Sequence, residues 1–274
     1  MHRRDVVRLL ASAWPAAGLW RRWRDTAHLG TLGLELYTVR TLMQRDVEGT
    51  LAAVAAIGIR EVEFAGYFDR TPAALRRTLQ DLGLSSPSAH VPLEPDATSW
   101  ARVLDAANGV GHRYVVIPEM DGRWRRTLDD WRRACELLGR AAEQARAAGL
   151  AFAYHNHDVE FQALQGRIPY DVLLETTDPE LVRCQLDLYW IRKGGQNPLP
   201  YFRRWPGRFP MVHVKDMTPD GRMADVGAGA IDWGAIFAHR AEAGIEHYFI
   251  EHDEPADPLA SVRASYHYLS RLDV

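Results

Sequence analysis

Residues that can bind a metal ion or move a proton recur at the ends of short apolar segments along this chain. The set consists of Glu35, Glu63, His90, Glu119, His155, His157, Asp187, His213, Lys215, Glu251 and Asp253. Imidazoles and carboxylates without thiolates suit a divalent ion such as Mn, Co, Mg, Zn or Fe. Burying so many ionisable groups together costs free energy unless they pair or bind a cation. The residue types therefore predict a polar site with one divalent metal ion as cofactor.

The later apolar segments supply the ligands that we expect to hold this ion. We predict that one residue from each of four successive segments converges on it, namely His155, Asp187, His213 and Glu251. Side chains two residues apart on an extended strand point to the same side. This alternation places His157 beside His155 and Lys215 beside His213, so both should face the same pocket as the ion.

These residues need a scaffold that brings many segment ends to one place, and the spacing of the segments predicts one. Eight strands are expected at residues 32–36, 61–64, 86–90, 113–117, 150–155, 182–186, 209–214 and 245–251. Helical segments are expected at residues 46–56, 71–83, 96–107, 128–148, 198–205 and 258–272. Parallel strands need crossover helices, and a closed barrel leaves no sheet edge, so we predict a single-domain (β/α)8 TIM barrel. An open doubly wound sheet would require a glycine-rich turn after the first strand, and residues 36–40 contain no glycine.

Size and composition agree with this fold and exclude several classes of protein. The chain has 274 residues, of which 47% are hydrophobic, and a TIM barrel uses about 250. A net charge of -3 argues against a nucleic acid partner. No apolar run has the roughly 18 to 20 residues of a membrane-spanning helix, so no membrane partner is expected. Cys135 and Cys184 are interpreted as buried thiols, because two cysteines at this spacing form neither a disulfide framework nor a zinc motif.

The first thirty residues do not fit the barrel pattern. The paired Arg3 and Arg4 are followed by an Ala-rich stretch, which is typical of a twin-arginine export signal and predicts a periplasmic protein. The alternative is a basic amphipathic helix at the start of a cytoplasmic protein. We assign residues 1–29 to this signal or extension and residues 30–274 to the barrel.

Several motifs together carry a resemblance to a known family. They are YHNHDVEF at 154–161, LDLYW at 186–190, HVKDM at 213–217, DVGAGAIDW at 225–233 and Ile250-Glu251. The chain from about residue 31 to residue 272 resembles the sugar phosphate isomerase/epimerase family, the xylose isomerase-like TIM barrels. The resemblance implies a divalent ion held by Glu, Asp, His and Glu from strands five to eight. Asp187, His213 and Glu251 match the last three positions, but His155 stands where the family has its first glutamate.

The resemblance also implies a reaction. Ketose epimerases of the family use two glutamates on opposite faces of the substrate, whereas a histidine-rich end of strand five resembles the inosose dehydratase branch. We expect an isomerase or epimerase that acts on a keto sugar or keto-glycoside through an enediolate. The alternatives are a lyase that eliminates from a 3-keto-glycoside or an inosose, and a carbohydrate-binding barrel without turnover. An apurinic-site endonuclease shares the barrel, but the acidic pI of about 6.4 argues against it.

Within this site we assign roles by residue type. His157, Glu160 and Lys215 are candidates for proton transfer, and Glu251 is a candidate for both metal ligation and base catalysis. Alternatively, Lys215 pairs with Asp216 on the rim. The candidates for contact with a small-molecule carbohydrate are Glu63, His90, Glu119 and Trp190. A homo-oligomer is compatible with the sequence.

Overall fold

The computed structural model describes residues 28–94 and 96–274. The predicted export signal lies outside the described residues except for its last two positions, and it remains a prediction. At those positions, His28 forms an antiparallel bridge with Asp273, and Leu29 is buried against the core. The described chain therefore begins packed against its own C-terminal end.

Eight parallel strands close into a barrel, which confirms the predicted fold class. They are Leu32–Glu35, Glu61–Ala65, Ser85–His90, Tyr114–Ile117, Ala151–His155, Val182–Asp187, Met211–Val214 and His247–Ile250. The strands follow one another around the barrel in chain order, and the eighth pairs with the first. We number them one to eight. Because all eight are parallel, their carboxyl ends lie on one face of the barrel.

Helices surround the barrel and return the chain to the start of each next strand. The α-helices are Arg40–Met43, Val47–Ile57, Pro72–Asp81, Ala97–Val110, Leu128–Ala147, Pro169–Thr176, Leu188–Lys193, Pro198–Arg204, Trp233–Phe237, Arg240–Ala243 and Pro258–Leu269. Several begin at an Asp or Thr whose side chain accepts a backbone N–H of the first turn, as Asp46 does from Gly49 and Thr127 from Asp130. Gly58 ends the second helix with φ of 119°, a backbone conformation that residues other than glycine rarely adopt. These local signals explain why the sequence pattern located the longer helices.

Outward-facing strand residues and the helices form the main hydrophobic core, while the barrel interior changes character along its axis. A small apolar cluster inside it contains Tyr114, Val116, Ala153, Met211 and Phe249. Strand residues alternate between the two faces, so the next inward positions toward the carboxyl ends are polar. His155 comes two residues after Ala153, His213 after Met211 and Glu251 after Phe249. The apolar cluster inside the barrel therefore lies directly beneath a polar layer at the carboxyl ends of the strands.

A short antiparallel pair, Asp216–Met217 with Met223–Ala224, follows strand seven. The Asp216 carboxylate accepts backbone N–H groups from Gly227, Gly229 and Ile231, which holds the glycine-rich loop in place. Cys135 and Cys184 are buried free thiols, as expected. Within the described part of the chain, no helix combines the length and apolar character needed to cross a membrane.

Candidate active site

A cavity of about 610 Å³ opens at the carboxyl ends of the strands. Six of the predicted site residues line it, namely His90, Glu119, His155, His157, Lys215 and Glu251, together with Asp253. A cavity of similar size lies at the opposite end of the barrel, where Arg113, Arg183 and Glu246 form part of the wall. None of the predicted site residues lines that second cavity, so the candidate chemistry collects at the carboxyl-end cavity.

The four predicted metal ligands form one buried cluster at the base of this cavity. One ligand atom from each of His155, Asp187, His213 and Glu251 lies within 4.8 Å of every other. Asp187 Oδ2 is 3.4 Å from His155 Nε2 and 3.7 Å from His213 Nδ1. Two nitrogen and two oxygen donors at this spacing could surround a divalent ion.

Hydrogen bonds on the far side of each imidazole determine which nitrogen faces the cluster. His155 Nδ1 is 3.0 Å from the Pro118 carbonyl oxygen, which can only accept, so Nδ1 carries the proton and Nε2 is left as a donor atom for a metal. His213 Nε2 is 2.7 Å from Oε2 of Glu63 and donates to it, which leaves Nδ1 toward the cluster. Such outer partners fix the tautomer and orientation of metal-binding histidines.

Two buried atoms of the cluster lack a hydrogen-bond partner among the described residues. His213 Nδ1 and Glu251 Oε2 lie 2.5 Å apart, yet neither makes a hydrogen bond of acceptable geometry. Lys215 Nζ is 2.8 Å from the same Glu251 oxygen and pairs with its charge, but buried polar atoms without a well-formed hydrogen bond are costly. A divalent cation bound between His213 Nδ1 and Glu251 Oε2 would satisfy both atoms, so the residues present fit the expected metal.

Lys215 is buried against the cluster and contacts three carboxylates. Its Nζ lies 3.0 Å from Asp187, 2.8 Å from Glu251 and 2.9 Å from Asp253. Burial alone would lower the pKa of Lys215, but these carboxylates raise it well above its ordinary value. The alternative pairing with Asp216 is wrong, because the Asp216 carboxylate faces the glycine-rich loop. Lys215 is therefore a fixed ammonium donor beside the candidate metal centre.

The pKa values of the residues in and beside the cluster are shifted in opposite directions. Burial lowers the pKa of both His155 and His157 to about 4, so both rings are neutral near pH 7. Burial acts to raise the pKa of Asp187, but Lys215 and His155 bring it down to about 2. Burial likewise acts to lower the pKa of His213, and the Glu251 and Glu63 carboxylates raise it to about 10. The carboxylates thus draw a proton onto His213 at the position that a metal cation would take.

Glu63 was expected to contact substrate, and its position does not support that role. It is fully buried beneath the cavity, where it accepts hydrogen bonds from His213 and from Gln185 Nε2 at 2.8 and 2.9 Å. Gln185 Oε1 in turn lies 2.7 Å from His90 Nε2. Glu35, beside Glu63, has its pKa raised well above the ordinary value by burial and by the Glu63 charge. Glu63 therefore orients His213 rather than reaching into the cavity.

Gln185 was missed by the sequence interpretation. It lies two residues before Asp187 on strand six and so faces the same side, a signal that alternation along the strand could have supplied. It links strand six to both Glu63 and His90.

Glu160 was expected to transfer protons, but both of its carboxylate oxygens are committed to neighbours. Oε1 accepts the Tyr154 hydroxyl at 2.7 Å, and Oε2 accepts the His157 backbone N–H at 2.8 Å. The side chain is fully buried and does not line the cavity. This placement favours a role in holding the turn that presents His157.

The remaining predicted residues surround the cavity at different depths. The Trp190 ring lies 5.4 Å from the His157 ring and 5.6 Å from Lys215 Nζ, so it flanks these two groups without lining the cavity. The Glu119 side chain is 59% exposed and lies 3.8 Å from Arg125. His90 is half-buried at the wall, with its ring 5.1 Å from that of His155. His90 and Glu119 are therefore placed where a bound molecule could contact them.

The closed barrel, its carboxyl-end cavity and the buried His–Asp–His–Glu cluster define an enzyme of the (β/α)8 class with a candidate metal centre. The chain belongs to the family described as xylose isomerase-like TIM barrel, whose model matches residues 51–271. The resemblance inferred from the motifs is thereby confirmed.

Individual proteins of known name are similar to the chain over most of its length. The inosose dehydratase of Geobacillus kaustophilus is 25% identical, and the match covers 81% of this chain and 86% of that protein. A crystal structure of a sugar phosphate isomerase/epimerase from Parabacteroides distasonis is also 25% identical, with a TM-score of 0.76 and coverage of 89% and 95%. A structure of the protein IolI with a bound zinc atom is 16% identical, with a TM-score of 0.67 and coverage of 87% and 96%. This last similarity supports the fold alone.

Proposed function

We propose that this enzyme is a lyase of the dehydratase type, which eliminates water from a keto sugar or a keto-cyclitol of the inosose kind. The carrying observation is that strand five presents two neutral imidazoles, His155 and His157, to the cavity that Glu251 lines from strand eight. A two-carboxylate epimerase would need a carboxylate at the end of strand five. The curated relatives named inosose dehydratase support the same choice. Our first expectation, an isomerase or epimerase, is therefore less well supported than its elimination alternative.

We propose His155, Asp187, His213 and Glu251 as the residues that hold a divalent ion. Their mixed nitrogen and oxygen donors suit Mn, Fe, Co or Zn, and zinc is the ion bound in the IolI structure. When bound, the ion polarises the substrate carbonyl and stabilises the negative charge that develops on its oxygen.

The residues around this cluster supply the proton transfers of an elimination. Neutral His157 is placed to accept the proton from the carbon next to the carbonyl. Lys215 directs its three N–H groups at Asp187, Glu251 and Asp253 and so keeps a fixed positive charge beside the place where the substrate oxygen becomes negative. The carbon–hydrogen bond breaks, a carbon–carbon double bond forms, and the hydroxyl on the neighbouring carbon leaves with a proton returned by His157. Water and an unsaturated ketone are the products, and no oxidant or reductant is consumed.

An unphosphorylated substrate fits the site better than a sugar phosphate. The glycine-rich loop at residues 225–231 could have formed an anion-binding nest, but its N–H groups already donate to Asp216. The positive charge of Lys215 is likewise neutralised by three carboxylates. Neither group remains to bind a phosphate.

An isomerase or epimerase is the second candidate, because the similar Parabacteroides structure carries that name and removal of the same proton begins both reactions. NMR distinguishes them when the metal-loaded enzyme is incubated in deuterated water with inososes, free keto sugars and 3-keto-glycosides. We expect an unsaturated ketone with loss of water. Deuterium next to a carbonyl with all oxygens retained would instead identify an isomerase or epimerase. An Asp187→Asn control separates enzyme turnover from spontaneous exchange.

A further inference from the structure

The two sides of the carboxyl-end cavity differ in chemistry. Strands five, seven and eight contribute only ionisable residues, namely His155, His157, Lys215, Glu251, Asp253 and Glu254. The side formed after strands one to four is mixed, because Arg40, His90 and Glu119 lie there beside six residues without a charged group. We call these six the apolar side of the cavity, namely Tyr37, Ala65, Gly66, Val91, Pro92 and Pro118. A polyol ring bound at the ionisable side has hydroxyls around its edge and does not need this apolar side.

Tyr37 is the most prominent feature of this apolar side. Of the large apolar side chains in residues 28–94 and 96–274, two are exposed, Tyr37 at 42% and Tyr268 at 39%. Tyr268 lies on the final helix, away from the cavity, whereas Tyr37 lines the cavity. An exposed aromatic ring beside a polar site is a common element of ligand recognition.

Arg40 holds the Tyr37 ring in position. Its guanidinium carbon lies 4.0 Å from the ring centroid, so it covers one face of the ring. Arg40 Nη1 also donates to the backbone carbonyls of Tyr37 at 2.8 Å and Asp253 at 2.6 Å. Because Asp253 pairs with Lys215, the ring is tied to the ionisable side of the cavity. A ring fixed in this way loses little side-chain freedom when a ligand stacks on it.

The backbone after strand two shapes the neighbouring wall. Gly66 has φ of 83°, and a Cβ added there would meet nothing within 4 Å. Phe68 and Asp69 follow with φ of 49° and 56°, which are uncommon values for residues other than glycine. Strained conformations of this kind persist where the surrounding structure requires them, often beside binding sites. The cavity wall therefore has free space beside Gly66, and the backbone that follows Gly66 adopts one defined conformation.

We infer that the substrate carries a second ring with a flat apolar face, which binds between Tyr37 and the wall formed by Gly66, Val91 and Pro92. The cavity of about 610 Å³ lies in the range that holds drug-sized ligands, so it accommodates more than one six-membered ring. An aryl group and a second sugar share this chemistry. The inference deepens the proposed lyase function, since it places the keto ring at the ionisable side and the second ring opposite.

Isothermal titration calorimetry tests the second-ring subsite without turnover. The probes are methyl β-D-glucopyranoside, phenyl β-D-glucopyranoside and cellobiose, which share one sugar ring and differ in the second group. We expect the wild-type enzyme to bind the phenyl glucoside or cellobiose roughly three- to tenfold more tightly than the methyl glucoside. The probe that gains more identifies the second ring as aryl or sugar.

Three variants assign the gain to Tyr37. Tyr37→Ala should abolish the preference, whereas Tyr37→Phe and the exposed control Tyr268→Ala should retain it. Equal affinity for all three probes, no measurable binding of either two-ring probe, or an unchanged preference in Tyr37→Ala would overturn the inference. Failure of the lyase assay with this preference intact would count against the proposed function alone, because the titration requires no reaction.

Discussion

The Nε2 atom of His213 lies 2.7 Å from Oε2 of Glu63, and this contact joins strand seven to strand two across the barrel interior. Both side chains are fully buried. The hydrogen bond fixes the His213 ring so that Nδ1 faces Asp187 and Glu251. A residue that does not reach the cavity therefore decides how a proposed metal ligand is presented.

Glu63→Gln should weaken metal binding about 10- to 100-fold while the protein stays folded, because the amide no longer supports the His213 tautomer with a negative charge. Competition with a chromophoric chelator measures the affinity. Glu61→Gln is the matched control, since Glu61 lies on the same strand and contacts His247 at 2.8 Å at the other end of the barrel. Equal losses in the two variants would contradict the orienting role of Glu63.

Asp187→Asn should remove the bound metal. Asp187 Oδ1 accepts the N–H groups of Tyr189 and Trp190 at the start of a helix, and an asparagine oxygen can keep these bonds. Its amide nitrogen would then face the cluster in place of a carboxylate oxygen. Elemental analysis of purified protein measures the metal content, with Asp232→Asn as a control helix cap outside the cluster. Unchanged metal content in Asp187→Asn would show that the proposed ligand set is wrong.

His155→Glu should retain metal and shift the reaction from elimination toward isomerisation or epimerisation. The substitution places a second carboxylate in the cluster with Glu251, which is the pair of groups that we expect a two-carboxylate epimerase to need. The deuterium NMR assay reports the ratio of exchanged to dehydrated product. If the variant still binds metal but loses elimination without gaining exchange, residue 155 does not decide between the two reactions.

Glu160→Gln should keep activity within about tenfold of the wild type. The glutamine oxygen can accept the His157 N–H, and the Tyr154 hydroxyl can rotate to accept from the amide. His157→Gln should lose about 10²- to 10⁴-fold in kcat, as expected for a proton-transfer residue. Steady-state kinetics on the substrate found by NMR measures both variants. A comparable loss in Glu160→Gln would restore the first interpretation, in which Glu160 transfers protons.

The metal-free protein should lose stability as the pH falls from about 6.5 to about 4. Burial, with the neighbouring His155 charge, lowers the pKa of His157 from 6.5 to about 4. The unfolded chain therefore binds a proton in this window that the folded protein does not, so the stabilising contribution is complete above pH 6.5 and is lost below it. The slope from one histidine is at most about 1.4 kcal/mol per pH unit.

Urea unfolding at several pH values measures this slope. His157→Gln should flatten it between pH 6.5 and 4, whereas His267→Gln, at an exposed position, should not. An identical pH dependence in wild type and His157→Gln would show that His157 does not titrate in this way.

Much of the fold and part of the site could be predicted from the sequence. The eight strands and the longer helices follow local patterns of apolar residues, caps and glycines, and the strand-end residues His155, Asp187, His213 and Glu251 were identified from spacing and family motifs. The function was predicted less well. The sequence placed elimination second, and the inosose dehydratase relatives moved it ahead of isomerisation.

The sequence by itself determined the barrel and the kinds of donor atom at its carboxyl end. Both can be read from local patterns, namely the apolar residues within each segment and the polar residue that ends it. Tertiary structure alone decided which polar residues face the cavity and which support it. Glu63 and His213 are 150 positions apart, and Gln185 and Glu63 are 122 apart, so no local pattern links them. Closure of the barrel brings them together and removes them from water. Burial acts to lower the pKa of His213, but the Glu251 and Glu63 carboxylates brought beside it raise that pKa instead. Glu63, Gln185 and Glu160 lie where they can orient neighbouring residues, and they do not line the cavity.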